Sequence, residues 1–369
     1  MAAHLVHVFS TFVPAGPQVR TAKLLAAFGA EARHTIVAMD GRTEARELLD
    51  PSLDVRFADA PPKAGSLATT LRLRRTLREL APDLVLTYNF GAIDAVLAAR
   101  SLGLAVLHHE DGFLPDEAQS FKRRRVWLRR FALGGSTRVV VISANLERIA
   151  RELWRVPAER LHFVPNGIEV ERFERADGNA PMRDALGIPR GALVVGAVGH
   201  LRPEKNLARL LRAVASCAER FDVHALLLGE GPERAKLDAL AAEAPLAGRV
   251  HFAGYHADPR AHYRAMDVFA LTSDTEQMPI ALLEAMASSL PVLATDVGDV
   301  RAMLPGAQQP FVAALGPQTD ALLAQALQEL AASLELRRRL GEENRERVGE
   351  RYSHQRMVER YRELLAGKR

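Results

Sequence analysis

Short apolar runs rich in Val, Ile and Leu alternate with longer stretches of helical periodicity along the whole chain. The runs predict strands at 5–9, 35–39, 55–57, 84–88, 105–108, 139–142 and 161–164 in the first half. A second series follows at 193–198, 223–228, 250–252, 268–271 and 292–295. Near-continuous apolar strands separated by helices are the pattern of parallel sheets covered on both faces. Two such series predict two doubly wound α/β domains. The polar stretch 166–191, with its Gly and Pro residues, separates them. The expected domains are 1–175 and 190–352, and 353–369 reads as a final amphipathic helix with Ser353 as its cap.

The length of 369 residues exceeds one comfortable core and suits two domains. Hydrophobic residues make up 48% and charged residues 25%, the balance of an ordinary globular protein, which excludes a disordered chain. The single cysteine, Cys217, shares an apolar helical pattern with Leu210, Leu211 and Val214. It is expected in the core, and no disulfide framework or cysteine metal cluster is possible. The opening MAAHLVHVFS lacks a basic segment ahead of a long apolar core, and no apolar run nears the ~18 residues that span a bilayer. A cytoplasmic location is expected.

The chemistry concentrates in 271–300, LTSDTEQMPIALLEAMASSLPVLATDVGDV. This string predicts a strand end, a polar loop, a helix opening at Pro279, another strand and a Gly loop. Pro is pre-organised for the first helical position, and the helix start leaves backbone N–H groups aimed into the loop. Such an end suits a phosphate. Glu276 precedes the helix. Glu284 falls on the face of Ile280 and Ala287, which is expected to turn inward. A carboxylate on an apolar face needs a partner. Sugar hydroxyls would serve; so would a capping role for Glu276 and a neighbouring Arg for Glu284.

Taken whole, the E-x7-E spacing, the EAMA and the PVLATDVGD resemble the signature of retaining GT-B glycosyltransferases of family four. The resemblance runs over nearly the whole chain and is most specific in 195–300. It implies an α/β GT-B fold, with two Rossmann-like domains facing across a cleft. The second would bind a nucleotide-diphosphate sugar and the first an acceptor, and the last helix would cross back to the first domain. It assigns the donor sugar to Glu276, the ribose to Glu284 and the diphosphate to the turn Gln277, Met278, Pro279 and Ile280. Gln277 stands where the family often has Gly.

VGAVGHLRPEKN, at 195–206, follows a predicted strand, and its Arg202 and Lys205 can neutralise a diphosphate beside a helix start. It resembles the family's GR-x4-K, in which Arg and Lys replace a metal. Lys205 matches the lysine, whereas His200 occupies the arginine position, so the second donor is Arg202 or His200. LLLGEGPERAKL, with Gly229, resembles the nucleotide-side loop, and VHFAGY, ending at Tyr255, resembles the segment lining the base. TFVPAGPQVR, at 11–20, stands where the family carries two glycines, and only Gly16, after Ala15, matches; Gln18 and Arg20 are further contacts in prospect. LHHEDGF, at 107–113, holds two histidines. Neighbours on an extended chain point to opposite faces and no third ligand is evident, so no metal is expected. The family's group beside the anomeric centre falls here, open between His109 and Asp111. Asp111 is the better proton acceptor at neutral pH, with a reference pKa of about 3.9.

SFKRRRVWLRRFALGG, at 120–135, carries Lys122, Arg123, Arg124, Arg125, Arg129 and Arg130 among apolar residues. Either it meets an anionic membrane surface, or it packs Val126, Trp127 and Phe131 on the sheet behind a solvated arginine face. No nucleic-acid motif accompanies the charge. The implied function is a retaining, metal-independent hexosyltransferase with a UDP- or GDP-sugar donor and no cofactor. Its acceptor would be a glycan or lipid-linked molecule of envelope, lipid or polysaccharide biosynthesis. The alternatives are a nucleotide-sugar epimerase on the same scaffold, or, given His200 and Ala15, a catalytically degenerate sugar-binding homologue.

Overall fold

The computed structural model describes residues 2–62, 64–113, 117, 121–174 and 180–367. The chain divides into two compact units, residues 1–166 with 357–369, and residues 167–356. Unit 1 holds β1 (Ala3–Phe9), β2 (Ala32–Ala38), β3 (Val55–Ala58), β4 (Leu84–Tyr88), β5 (Val106–Glu110), β6 (Arg138–Val141) and β7 (Leu161–Phe163). Unit 2 holds β8 (Leu193–Val198), β9 (Val223–Leu228), β10 (Val250–Gly254), β11 (Val268–Leu271), β12 (Val292–Thr295) and β13 (Val312–Ala313). The sheet orders are β3-β2-β1-β4-β5-β6-β7 and β10-β9-β8-β11-β12-β13. Every strand pairing among the described residues is parallel. Both sheets are therefore doubly wound, with the order reversing at β1/β4 and at β8/β11.

Leu5, Phe9, Ile36, Leu84, Leu86, Leu107 and Val140 build the unit 1 core with Leu24, Leu25 and Phe28 of the helix Gly16–Phe28. Met357, Val358, Tyr361 and Leu364 of the last helix, His354–Ala366, complete it. Each such side chain contributes roughly 1.5–3 kcal/mol by leaving water. Arg138 Nη1 donates to the Leu364 carbonyl at 2.6 Å, satisfying one of that helix's terminal acceptors.

The division falls between Asn166 and Gly167, earlier than the patterning suggests; residue 175 itself lies outside the described residues. The segment after Gly167 is tied into unit 2 by hydrogen bonds. Ile168 N donates to the Tyr352 carbonyl at 2.8 Å, and Arg183 reaches the Ala265 and Ala192 carbonyls and Asp267. Cys217 is wholly buried in the unit 2 core, and burial pushes its thiol up to about 11. β13 escapes the apolar pattern because it is two residues long and sits at the sheet edge. Among the described residues no helix is long and apolar enough to cross a membrane.

Candidate active site

In unit 2 the connection after β8 leads toward β9 on one side of the sheet, and that after β11 leads toward β12 on the other. Loops that diverge in this way open a crevice at the carboxyl ends of the strands. Lys205 comes from the first loop and Glu276 from the second. Lys205 Nζ donates to Glu276 Oε1 at 2.5 Å, and Ser273 Oγ donates to the same oxygen at 2.8 Å. Their side chains are 27% and 11% exposed, so the pair is reachable but shielded. The helix Ile280–Ala287 starts directly behind it. Pro279 stands at the cap position, one residue before the predicted place, with extended backbone. The amides of Ile280 and Ala281 have no acceptor within the helix.

Glu284 corrects the facial reading. Leu282, Leu283, Ala285, Met286 and Ala287 are all buried, and Glu284 shares the one half-open side with Ile280 and Ala281. Its Oε2 accepts from the Tyr263 hydroxyl at 2.9 Å, so a tyrosine is one of the groups that hold it. Burial, then the Glu284 charge, holds the Tyr263 phenol well above its ordinary pKa, which keeps it a donor. Gln277 and Met278 are buried, and the Gln277 carbonyl accepts from Asp299 N at 2.9 Å.

The loops fit together because three glycines lack a Cβ. A Cβ on Gly229 (φ +139) would lie 2.0 Å from the Gly199 carbonyl oxygen, and one on Gly231 2.5 Å from that of Leu201. One on Gly298 (φ +55) would lie 2.3 Å from the Glu276 carbonyl. Gly229 thus serves loop packing in the first instance. A polar clasp fixes the Lys205 loop to the Glu276 loop. Asn206 and Arg209 both bond Asp274, at 3.0 and 2.8 Å, and Asp274 N donates to the Glu204 carbonyl at 2.8 Å. Ser273, Tyr263, Arg209 and Asp274 were not legible beforehand; only the placement of Ser273 three residues before Glu276 is a local signal. His200, Arg202 and Tyr255 are exposed, and Arg202 makes only a 3.9 Å approach to Glu204.

In unit 1 the loop after β1 opens the helix at Gly16, and Ala15 before it is extended (φ −157), a conformation that asks for no glycine. Arg20 pairs with Asp111 and donates to Asn166 Oδ1 at 3.2 Å, so it is a buried tie and not a surface contact. Gln18 Nε2 likewise turns back to the Thr11 carbonyl. His109 is 1% exposed. Its ring stacks between Tyr88, at 4.6 Å, and Tyr361 of the last helix, at 5.7 Å. Burial, then the Arg20 charge, holds it well below its usual pKa, so it stays neutral. The structure brings His109, Asp111, Arg20 and Tyr361 together. Arg20 Nε and Nη2, Asp111 Oδ2 and Tyr361 Oη are buried without a partner among the described residues, a set that polar ligand groups or solvent would satisfy.

The basic segment buries Val126 and exposes Arg123 and Arg124 as expected, but departs from the packing expectation at three positions; its Ser120 lies outside the described residues. On the helix Arg123–Leu133, Trp127 and Phe131 are 66% and 69% exposed, whereas Arg129 is wholly buried. Arg129 bonds Glu110 at 2.7 Å and Glu117 at 3.3 Å, between the rings of Phe90 and Trp154. Burial alone would raise the Glu110 pKa; the Arg129 charge overrides it and the net shift is downward.

Comparison with known proteins agrees with this architecture. Two family models match, "Glycosyl transferase 4-like domain" over residues 15–167 and "Glycosyl transferases group 1" over residues 179–347. A GDP-mannose-dependent alpha-mannosyltransferase of Mycobacterium tuberculosis is 29% identical over 64% of this chain and 61% of its own. A lipopolysaccharide core biosynthesis glycosyltransferase, LpsE of Rhizobium meliloti, is 31% identical over 50% of this chain and 53% of its own. The chain thus spans little more than half the length of these relatives. Among solved structures, Anabaena Alr3699/HepE in complex with UDP superposes with a TM-score of 0.84 over 98% of this chain and 99% of that one, at 19% identity, a likeness of fold. With the two family models covering most of its length, the chain belongs to the group 1 glycosyltransferases, of the family-four type and GT-B fold.

Proposed function

We propose that the protein moves a hexosyl group from a UDP- or GDP-sugar to a glycan or lipid-linked acceptor, with retained anomeric configuration and no metal. The observation that carries this is the convergence of Lys205, Ser273 and Glu276 at the switch point of unit 2, ahead of an open helix start. Lys205 and the Ile280 and Ala281 amides take up the diphosphate charge as the sugar–phosphate bond breaks, the electrostatic contribution that usually dominates. Glu276 orients the sugar through its hydroxyls. Glu284, held by Tyr263, takes the ribose diol. The acceptor oxygen attacks the anomeric carbon, and its proton passes to the departing phosphate on the same face. No carboxylate is needed as nucleophile. A hydrolytic pair would flank one bond at about 5–9.5 Å, whereas Glu276 and Glu284 are assigned to different parts of one donor.

Unit 1 is assigned the acceptor, with Asp111 and its unpartnered oxygen as the polar contact and His109 as the buried spacer behind it. Arg202 stands exposed beside the donor loop as a second cation for the diphosphate, and His200 beside it as a further hydrogen-bonding group. The relatives' names, a GDP-mannose donor and a lipopolysaccharide product, support a nucleotide sugar and an envelope acceptor. A lipid-linked acceptor would bring the enzyme to the cytoplasmic face of a membrane through the segment 120–135.

Incubation of UDP-, GDP-, ADP- and dTDP-sugars in EDTA, with and without an acceptor extract, tests the proposal. Nucleotide release that requires acceptor, with an anomeric proton of unchanged configuration in the product, is the expected result. Interconversion of sugars without acceptor would point to the epimerase. Binding without either reaction would point to the degenerate homologue.

A further inference from the structure

Glu276 Oε1 accepts from both Lys205 Nζ and Ser273 Oγ, and the two donors differ in kind. Lys205 is a cation on a long, partly exposed stem. Ser273 is 1% exposed, so it reaches a substrate only through Glu276. Its hydroxyl has one hydrogen, and the carboxylate takes it at 2.8 Å. A nucleotide sugar draws the lysine toward its diphosphate. The serine, neutral and closed off, stays where it is.

Ser273 is itself built in. Thr295, the last residue of β12 and wholly buried, donates from Oγ1 to the Ser273 carbonyl at 2.6 Å. The neighbouring Thr272, also buried, sends its hydroxyl elsewhere, to the Asn206 carbonyl at 3.2 Å on the Lys205 loop. The Glu276 backbone is fixed separately by the close approach of Gly298 to its carbonyl. Buried hydroxyls are costly to leave unpaired, so these bonds persist through changes at the mouth of the crevice. The other carboxylate oxygen differs. Glu276 Oε2 accepts no hydrogen bond from the described residues and is not shut away from solvent. Ordering a Glu side chain costs rotamer freedom, so a carboxylate pinned through one oxygen binds a ligand through the other more tightly than a free one.

We propose that Ser273, secured by Thr295, is a positioning residue for the donor sugar. It keeps Glu276 Oε1 engaged once the diphosphate has taken Lys205, and so aims Oε2 at the sugar hydroxyls. The inference rests on the donor reading of unit 2 and separates two tasks within it. Lys205 serves the diphosphate, whereas Ser273 serves only the sugar. Its effect vanishes for a nucleotide that carries no sugar.

Free UDP, GDP, ADP and dTDP, and the matching nucleotide sugars, are titrated into wild type, Ser273→Ala, Thr295→Val, Thr295→Ser and Lys205→Ala. In Ser273→Ala the nucleotide sugar is expected to bind about fivefold more weakly, while the free nucleotide stays within about twofold of wild type. Thr295→Val, which keeps the shape and loses the hydroxyl, is expected to move the same way, and Thr295→Ser to restore wild-type behaviour. Lys205→Ala is expected to weaken both ligands together. Equal weakening of free nucleotide and nucleotide sugar in Ser273→Ala would mean a distorted crevice and would overturn the proposal. So would a Ser273→Ala protein that binds the nucleotide sugar as wild type does; either result leaves the donor reading standing. Absence of binding by wild type would remove the donor reading itself, and the proposal with it.

Discussion

Lys205 Nζ lies 2.5 Å from Glu276 Oε1, and the two residues leave neighbouring strands whose connections turn to opposite sides of the sheet. A charge-assisted bond across the switch point gives two divergent loops one common geometry. In the absence of donor each residue satisfies the other. A nucleotide sugar presents an anionic diphosphate to the lysine and neutral hydroxyls to the glutamate, so it can replace both halves of the pair at once.

That geometry depends on residues that touch no substrate. Asp274 receives Asn206 and Arg209, and its N–H reaches Glu204, so it locks the two loops together. Asp274→Ala is expected to lower kcat about tenfold with a small change in melting temperature, and Asp274→Asn, which keeps an acceptor for both donors, to recover much of it. Steady-state kinetics beside a thermal melt separates this from simple destabilisation.

Tyr263 positions Glu284 through one hydroxyl at 2.9 Å. Tyr263→Phe removes that donor and leaves the ring's packing in place. The expected result is a donor KM raised about fivefold with kcat nearly unchanged, and a stability loss of about 1 kcal/mol. A fall in kcat alone would place Glu284 at the reacting centre instead of the ribose.

Arg129 is the buried ion of the basic segment. Arg129→Ala takes the arginine from buried Glu110, leaves Glu117 with Arg125 alone, and is expected to cost about 3–5 kcal/mol. Arg123→Ala, on an exposed position of the same helix, is expected to stay within about 0.5 kcal/mol. Urea unfolding of the two variants checks both values.

Acid sensitivity follows from the histidines of β1 and β2. His7 Nε2 lies 3.1 Å from His34 Nδ1, and His4 stands beside them. Burial, then the nearby His4, depresses His34 to about 4, with Asp54 opposing; burial, then the His34 charge, likewise holds His7 well below its ordinary value. Above about pH 6.5 the rings are neutral in both folded and unfolded chains and stability is flat. Below it the unfolded chain takes up protons that the folded one refuses, so stability falls until about pH 4, by roughly 3 kcal/mol for His34. Unfolding midpoints across that window should drop, and His34→Gln should flatten the slope.

Most of the fold was legible because its strands are buried on both faces, and a run such as 193–198 or 223–228 has no other use for so many apolar residues. Lys205 and Glu276 were legible by their place in a longer string, not by any local property. Their neighbours were not. Tyr263 reaches Glu284 from 21 residues away, and nothing in the local pattern marks it. The basic helix misled for a related reason. Periodicity treats every arginine as solvent-seeking, but Arg129 finds Glu110 on β5 and Glu117 in the loop after it, and that exchange turns Trp127 and Phe131 outward. The spacing also set Glu284 on an inward face, because almost the whole helix is buried and its half-open side is narrow.

Unit 2 is expected to bind a nucleotide-diphosphate sugar through Lys205 without a metal. Isothermal titration of UDP- and GDP-sugars in EDTA, into wild type and Lys205→Ala, addresses it most directly. Binding of one nucleotide class by wild type, weakened about tenfold or more by Lys205→Ala, is the predicted result. No binding by wild type until a divalent metal is added, or equal affinity in the variant, would contradict it.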